Sequence, residues 1–360
     1  MTSWACSTWT SPVRSLDFGA TRLVMSWNGQ TPRGTCLITE VQAMMQDGEK
    51  TPWLTIGNYA FFDTDIVRTS VSPSAKPYGQ VDTDTFLTYP GFTIYAYRLR
   101  VTLCRAPGTD ASPRVWQLAM LASAIPPRQT VSASALGTAS RGGIELSVPQ
   151  YSQHMHDGQH EQYDGGGKSW CSPTSTQMVT DYWGMHPREE ELAWLSPDYQ
   201  DPQVAYAARH TYDHRYQGTG NWAFNIAYAS HFGLDATIVQ LPSMEHLERL
   251  VAQGIPVVTA QAFDEEEISG ASYQTAGHLW VVTGFAKEGD VIVNDPASPS
   301  NPQVRQVFDR GQFENVWLRT FWRRRDGTTG YNTGGIAYLI KPHEMTLPPN
   351  IDPANRTWQE

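Results

Sequence analysis

The pattern of apolar and polar residues changes character once along the chain, near residue 125. Before that point, short apolar runs alternate with turn residues, and a period of two is clear from Phe92 to Leu103. Helical periodicity is not convincing anywhere in this part. The pattern predicts an all-β sandwich or jelly roll over residues 1–125.

Later in the chain, helical patterns come first and strand patterns follow. Each predicted helix opens at a capping residue and closes at a glycine, over 172–184, 221–233 and 243–254. A loop is predicted over 198–220. The predicted strands are 255–263, 278–285, 291–294, 304–308 and 336–340. This order predicts an α+β domain over residues 144–345, in which an antiparallel sheet packs against the first helix.

Two further segments lack either periodicity. Residues 126–143 are rich in Ser, Ala, Gly, Thr and Pro, a composition typical of a linker between domains. Residues 346–360 are expected to form a C-terminal tail. The chain is therefore predicted to have two domains, a linker and a tail.

Charge and composition narrow the class of protein. The 26 Lys and Arg residues against 36 Asp and Glu give a net charge of -10, so nucleic acid is a poor candidate partner. The N-terminus has no basic start followed by an apolar run, and no segment has the length and apolar character of a membrane span. We expect a cytoplasmic protein, or a secreted one if the start of the sequence is truncated or misassigned.

The four cysteines are Cys6, Cys36, Cys104 and Cys171. Their scattered positions fit neither a zinc ribbon nor a disulfide scaffold. One bridge between Cys36 and Cys104 is possible, since both lie in strand-like runs.

Cys171 stands out because it follows a glycine run and opens a predicted helix. Ser172 and Pro173 are typical of the first positions of a helix, which places Cys171 at its positive end. There the helix dipole favours the thiolate, the nucleophilic form of cysteine. The alternative is a buried cysteine that acts only as a small apolar side chain.

Two later strands carry the residues that a nucleophilic cysteine needs. His278 opens one predicted strand and Asp295 ends the next, with a short turn between them. In a hairpin these ends lie side by side, so Asp295 can orient the imidazole while His278 faces Cys171. Upstream, Gln153 is a candidate donor to an oxyanion, together with the backbone N–H of the nucleophile.

Other motifs support weaker hypotheses. His154, His156 and His160 could ligate zinc, but a solvated loop is the preferred interpretation, and we predict neither a metal nor a cofactor. The Gly165–Ser169 run lacks the first glycine of a phosphate loop. The acidic stretch 265–267 is interpreted as a solvated loop that could select basic substrates if it lay near a cleft.

The chain resembles a family of bacterial cysteine peptidase-like proteins related to the bacteriocin-processing (double-glycine) peptidases, which are papain-like. The motifs that carry the resemblance are Val-Pro-x-Tyr-Ser-Gln, Trp-Cys-Ser-Pro-Thr-Ser, Gly-His-Leu-x-Val-Val-x-Gly-Phe and Val-x-Val-Asn-Asp-Pro-Ala, within residues 146–341. The two-domain layout is similar to that of actinobacterial members. The resemblance implies a papain-like fold with Cys171 as nucleophile, His278 as base, Asp295 as orienting residue and Gln153 at the oxyanion. An insertion from His154 to Lys168 departs from the family pattern.

The expected activity is therefore hydrolysis of an amide in a peptide or a peptidoglycan stem peptide. Acyl transfer of the transglutaminase type and a non-catalytic protein that binds peptides or glycans remain alternatives. Trp170, Trp280 and Gly167 flank the predicted catalytic residues and are candidate substrate-binding residues. Aromatic residues of the first domain could bind glycans but are more often core. The sequence leaves the oligomeric state open.

Overall fold

The structure of the protein is a computed structural model that describes residues 3–64, 66–348 and 351. It divides into two compact units. Unit 1 comprises residues 1–125, 208–231 and 236–238, and unit 2 comprises residues 126–207, 232–235 and 239–360. Most of the predicted C-terminal tail, 346–360, lies outside the described residues.

The strands are β1 (Ala5–Thr10), β2 (Arg14–Ala20), β3 (Arg22–Gln30), β4 (Thr35–Met45), β5 (Leu54–Tyr59), β6 (Thr69–Ser70), β7 (Ser74–Ala75), β8 (Gly79–Asp82), β9 (Thr85–Thr88), β10 (Ile94–Arg105), β11 (Arg114–Ser123), β12 (Ile144–Glu145), β13 (Asp235–Gln240), β14 (Val257–Phe263), β15 (Thr275–Phe285), β16 (Val291–Asn294), β17 (Arg305–Phe308), β18 (Phe321–Arg323), β19 (Thr329–Tyr331) and β20 (Ile336–Lys341). The helices are α1 (Thr138–Gly142), α2 (Cys171–Tyr182), α3 (Glu189–Leu192), α4 (Pro202–Thr211), α5 (Trp222–His231), α6 (Met244–Ala252) and α7 (Arg310–Leu318).

Unit 1 is built on two antiparallel sheets. One has the order β1-β10-β4-β5-β6, with β2 also paired to β10, and the other has the order β11-β3-β9-β8-β7. Apolar side chains from both sheets, such as Met25, Val41 and Phe86, form one core cluster. Alternating inward apolar residues explain this packing, and the predicted all-β fold of the first part of the chain is confirmed.

A segment from the second half of the sequence completes unit 1. Helix α5 packs against β3, and its first N–H, at Trp222, donates to Asp84 Oδ2 at 2.7 Å. Arg68 is fully buried, and its guanidinium donates to the carbonyl oxygens of Phe61 and Tyr212, among others. The bonds from Trp222 to Asp84 and from Arg68 to Tyr212 join residues far apart in sequence, so the local pattern of residues 198–220 could not show them. Helix α4 also lies in that segment, which was predicted as a loop.

Several aromatic residues of unit 1 lie in its core. Trp27, Tyr59 and Phe61 are at most 2% exposed, so these side chains cannot line a glycan groove, whereas Tyr95 is 47% exposed. Trp27 and Tyr59 contact each other edge to face with ring centroids 5.6 Å apart. The interpretation of these three residues as core is therefore correct.

The disulfide bond differs from the one considered from the sequence. Cys6 on β1 is bonded to Cys104 on β10, and Cys36 is a buried thiol. Cys104 is in register with Cys6 on one neighbouring strand and with Cys36 on the other. Spacing along the chain could not decide between these two neighbours, because both lie directly opposite Cys104.

Unit 2 carries an antiparallel sheet in the order β20-β14-β15-β16-β17, with β12 also paired to β15. Helix α2 packs on β14 and β15. The helix is polar although most of its side chains are buried, and the hydroxyls of Ser172 and Ser175 bond other segments of the unit. Ser175 Oγ donates to the Leu279 carbonyl, and Ser172 Oγ bonds Tyr338 Oη. This arrangement confirms the predicted α+β fold. None of the helices in the described part of the chain combines the length and apolar character that a membrane crossing requires.

The segment 126–143, predicted as a linker, is fixed to unit 2 by hydrogen bonds. Glu248 on α6 accepts from the Gly137 and Ser140 backbone N–H groups and forms a 2.7 Å ion pair with Arg310 on α7. Arg310 in turn donates to the Ser134 carbonyl. Composition alone predicted a linker here. It could not reveal this anchoring, because the two buried charges that hold the segment, Glu248 and Arg310, lie more than a hundred positions later.

The Glu248–Arg310 pair gives a test of this anchoring. Arg310→Met should destabilise unit 2 by about 3–5 kcal/mol, because it leaves Glu248 as an unpaired buried charge. The double variant Glu248→Met/Arg310→Met should recover part of this loss. The measurement is urea unfolding followed by tryptophan fluorescence.

Arg249→Met is the matched control, since Arg249 pairs with Glu245 on the exposed side of the same helix α6. It should change the free energy of unfolding by no more than about 0.5 kcal/mol. Equal losses for Arg310→Met and Arg249→Met would contradict the role given to the buried pair.

Candidate active site

Cys171 lies at the start of α2, as predicted, but it is itself the first helical residue, and the N-cap is Trp170 rather than the predicted Ser172. The cysteine is partly exposed, whereas the next nine residues of the helix are buried. The preceding residue, Trp170, makes no side-chain cap to the first turn. Cys171 therefore lies at a helix N-terminus with backbone N–H groups that have no partner within the helix.

Two glycines shape the loop that leads to Cys171. Gly166 has a φ of +82°, a left-handed conformation that favours glycine. A Cβ atom on Gly167 would overlap the carbonyl oxygen of Gln153 and lie 2.8 Å from the carbonyl carbon of His156. Gly167 is buried, so it allows two backbone segments to pack closely and does not itself contact substrate as predicted.

His278 and Asp295 meet as the hairpin predicts. Strands β15 and β16 are antiparallel neighbours, with Val281 opposite Asn294. His278 Nε2 lies 2.8 Å from Asp295 Oδ1, and both side chains are at most 5% exposed. The His278 side chain also hydrogen-bonds the Cys171 side chain. Because Nε2 faces Asp295, the nitrogen directed at the sulfur is Nδ1.

The electrostatics of His278 are set by two opposing effects. Burial alone would lower its pKa, because it penalises the charged imidazolium. The Asp295 carboxylate and the hydrogen bonds to Asp295 and Cys171 outweigh burial and raise the pKa of His278 to about 10. At neutral pH the His278 ring is therefore an imidazolium, and its second N–H can be shared with the sulfur.

Asp295 accepts three hydrogen bonds. Oδ1 accepts from His278 and from the Ala297 backbone N–H at 2.9 Å, and Oδ2 accepts from Tyr273 Oη at 2.9 Å. Tyr273 was not identified from the sequence. It lies in the loop before β15, and no motif or spacing connects that loop with Asp295.

Gln153 lies beside the loop that precedes Cys171. Its side chain is 3% exposed, and Nε2 donates to the Lys168 carbonyl at 2.8 Å. Its backbone N–H donates to the Pro296 carbonyl at 2.9 Å, next to Asp295. The structure thus connects Gln153 to both segments that carry the candidate catalytic residues.

Trp170 and Trp280 are not on the surface. Both indoles are fully buried, so the prediction that their side chains line the substrate site is wrong. Trp170 Nε1 donates to the Tyr163 carbonyl, which holds the glycine loop, and Trp280 packs among Phe263, Phe308 and the rest of the unit 2 core. Large aromatic residues next to catalytic positions are more often support than contact surface.

The histidines of the inserted loop support structure. His156 stacks on Tyr199 and its Nδ1 lies 3.0 Å from Tyr199 Oη. Burial, followed by the charge of His160, lowers the pKa of His156 to about 4. His154 contacts Asp157. Among the described residues, no group of three or more His, Cys, Asp or Glu side chains could hold a metal ion.

The acidic stretch 265–267 is only partly solvated. Glu267 receives two hydrogen bonds from Arg319, at 2.5 and 2.6 Å. Burial would raise the pKa of Glu267, but these bonds and the charge of Arg319 hold it below its usual range. Glu265 and Glu266 are exposed.

Comparison with known proteins gives two family matches. Residues 1–123 match the Peptidase C39 N-terminal domain, and residues 145–321 match the Peptidase_C39 like family. The fold and these matches define the class of protein as a peptidase-type α+β domain preceded by an all-β domain. Together the two matches cover most of the chain.

Among solved structures, the chain is similar to that of a proposed C39-like peptidase from Bacillus anthracis. The two share 18% identity with a TM-score of 0.34, over 55% of this chain and 96% of the other. No curated protein shows significant similarity to the chain.

The contact between Asp295 and His278 predicts a pH effect. Asp295→Asn removes the negative charge that holds the pKa of His278 near 10, while burial continues to lower it. The alkaline limit of Cys171 alkylation by iodoacetate should therefore move to lower pH, by about two units. Iodoacetate is chosen because the imidazolium attracts its carboxylate. The measurement is the alkylation rate of the Cys171 peptide by mass spectrometry as a function of pH.

Cys36 in the same spectra is the internal control, because burial raises its pKa to about 11 and the substitution lies in the other unit. Its slow alkylation should be the same in both proteins. An unchanged alkaline limit for Cys171 would contradict the role of Asp295.

Proposed function

We propose that the protein is a cysteine peptidase in which Cys171, His278 and Asp295 form the catalytic triad. The observation that supports this most strongly is the position of His278, which hydrogen-bonds the Cys171 side chain with one face of its ring and Asp295 with the other. The family match supports a cysteine peptidase function and implies a peptide substrate.

The reaction begins with Cys171 as a thiolate and His278 as an imidazolium. The sulfur attacks the carbonyl carbon of the scissile amide, and the negative charge passes to the carbonyl oxygen. His278 then gives its proton to the leaving amine, and the C–N bond breaks to leave a thioester on Cys171. His278 next accepts a proton from water, whose oxygen attacks the thioester, and the released Cys171 regains the starting ion pair.

Asp295 keeps the ring of His278 in the orientation that this proton transfer requires. The raised pKa of His278 favours the imidazolium in the resting enzyme. Cys171 lies at the N-terminal end of α2, where backbone N–H groups without a partner in the helix stabilise negative charge. Both effects stabilise the same charge-separated pair.

The oxyanion would be held by two donors. One is the backbone N–H of Cys171 at the start of α2, and the other is the second N–H of Gln153 Nε2. Gly167 supports this role, because its lack of a side chain lets the loop pack against the Gln153 backbone.

The loop 154–168 bears on the class of substrate, and the disulfide bond of unit 1 bears on the compartment. We propose peptides, including peptidoglycan stem peptides, as the substrate class, with the loop next to Cys171 restricting access. The Cys6–Cys104 bond favours an oxidising compartment, since disulfides seldom persist in the cytosol. This argues against the cytoplasmic location expected from the N-terminal sequence.

Cys171→Ala should abolish hydrolysis of a peptide library and of purified peptidoglycan. The value of kcat/KM should fall by at least about 10⁴-fold, because no other nucleophile is positioned by His278. Labelling of the residue 171 peptide by iodoacetamide should also disappear. The measurements are product analysis by mass spectrometry and labelling of the intact protein.

Cys36→Ala is the matched control, because Cys36 is the other thiol outside the disulfide and lies in unit 1. It should retain full hydrolysis. Hydrolysis that survives in Cys171→Ala would refute the proposal, and transfer of the acyl group to an added amine in place of water would indicate the acyl-transfer alternative.

Gln153→Ala should lower kcat by about 10²–10³-fold, the effect of removing one oxyanion donor. Iodoacetamide alkylation of Cys171 should keep its wild-type rate, since that reaction forms no oxyanion. Parallel measurement of kcat and of the alkylation rate separates the two roles. A loss of both would show that Gln153 supports the nucleophile instead, whereas no loss of either would remove it from the reaction.

A further inference from the structure

We propose that Tyr273 is a positioning residue that acts on the catalytic histidine through Asp295. This inference rests on the proposed function, because it assigns Tyr273 a part in the Cys171 reaction. The observation behind it is the hydrogen bond from Tyr273 Oη to Asp295 Oδ2, at 2.9 Å. It joins a loop residue to the carboxylate that faces His278.

The carboxylate of Asp295 is almost fully buried, so each of its oxygens needs a donor from the protein. Oδ1 has two donors, His278 and the Ala297 backbone N–H, whereas Oδ2 has Tyr273. The backbone bond fixes one side of the carboxylate. The Tyr273 hydroxyl fixes the other side, and together they prevent rotation that would turn Oδ1 away from His278.

The ring of Tyr273 also contacts the imidazole. Its centroid lies 5.4 Å from that of His278 in an edge-to-face arrangement, and 5.4 Å from that of Phe263. The ring thus contributes to the burial of His278, which is 5% exposed. Less water at the His278–Asp295 contact strengthens the attraction between carboxylate and imidazolium.

Tyr273 remains a donor over the working pH range. Burial, the charge of Asp295 and their hydrogen bond together raise the pKa of the Tyr273 hydroxyl well above its usual value. The titratable groups that act on Tyr273 and on His278 are the same two, Asp295 and Cys171. The four side chains therefore form one coupled set.

Tyr273→Phe tests the hydroxyl while keeping the ring contacts. Without the hydroxyl, Asp295 loses its Oδ2 donor and can turn, so the imidazolium of His278 is less stabilised and loses its proton at lower pH. We expect the alkaline limit of Cys171 alkylation by iodoacetate to fall by about one pH unit. We also expect kcat for peptide hydrolysis to fall about tenfold with KM nearly unchanged, because the change affects proton transfer rather than binding.

Tyr182→Phe is the matched control, since Tyr182 Oη donates to the Gly254 carbonyl in the same unit and contacts none of the four coupled side chains. It should leave both the alkaline limit and kcat at wild-type values, and thermal denaturation should show all variants folded. A purely structural hydroxyl at position 273 would give the same result as Tyr182→Phe, and this outcome would overturn the proposal.

A double variant tests the route through Asp295. In the Asp295→Asn background, adding Tyr273→Phe should cause no further shift of the alkaline limit, because the carboxylate on which the hydroxyl acts is already gone. Two independent, additive shifts would overturn the proposal. The alkylation measurement needs no substrate, so failure of wild-type protein to cleave peptides would refute the peptidase function without affecting this test.

Discussion

The buried contact between Asp295 and His278 is the interaction on which the rest of unit 2 depends. Two charged groups that are at most 5% exposed lose most of their hydration, which costs free energy. The attraction between them offsets this cost only if the remaining polar atoms are also paired. The Ala297 backbone and Tyr273 pair the carboxylate, and Cys171 pairs the second nitrogen of His278. The strength of the contact is thus set by its surroundings as much as by its own 2.8 Å distance.

The same requirement shapes the helix that carries the cysteine. Helix α2 must lie against β15 to bring Cys171 to His278, and it does so with hydroxyl side chains rather than apolar ones. Ser172 and Ser175 bond the helix to its surroundings, and Ser175 does so at the Leu279 carbonyl, one residue after His278. A directional bond of this kind fixes the position of the helix along the strand more closely than apolar packing alone would, because hydrogen bonds tolerate little displacement.

Local signals in the sequence predicted much of this site, and non-local ones did not. The helix start at Cys171 and the β15–β16 hairpin depend on residues a few positions apart, so capping, glycine and alternation patterns were enough. The Tyr273 hydrogen bond, the completion of unit 1 by residues 208–231 and the choice of Cys6 as the partner of Cys104 depend on contacts between distant segments. The burial of Trp170 and Trp280 was missed because neighbours in sequence do not reveal which way an indole points.

The glycine loop shows how a long connection between Gln153 and Cys171 is closed by contacts at its base. The loop adds residues between Gln153 and Cys171, yet Gly167 packs directly on the Gln153 backbone and Lys168 accepts from its amide. These contacts close the loop at its base. Gln153 therefore lies beside the segment that leads to Cys171, although the two residues are 18 positions apart. Because the closure depends on backbone contact at Gly167, the position of Gln153 is fixed at the base of the loop, whereas Asp157, Gly158 and Gln159 in its outer part are exposed. A change of substrate preference at these exposed residues then need not alter the proposed proton transfer between Cys171 and His278.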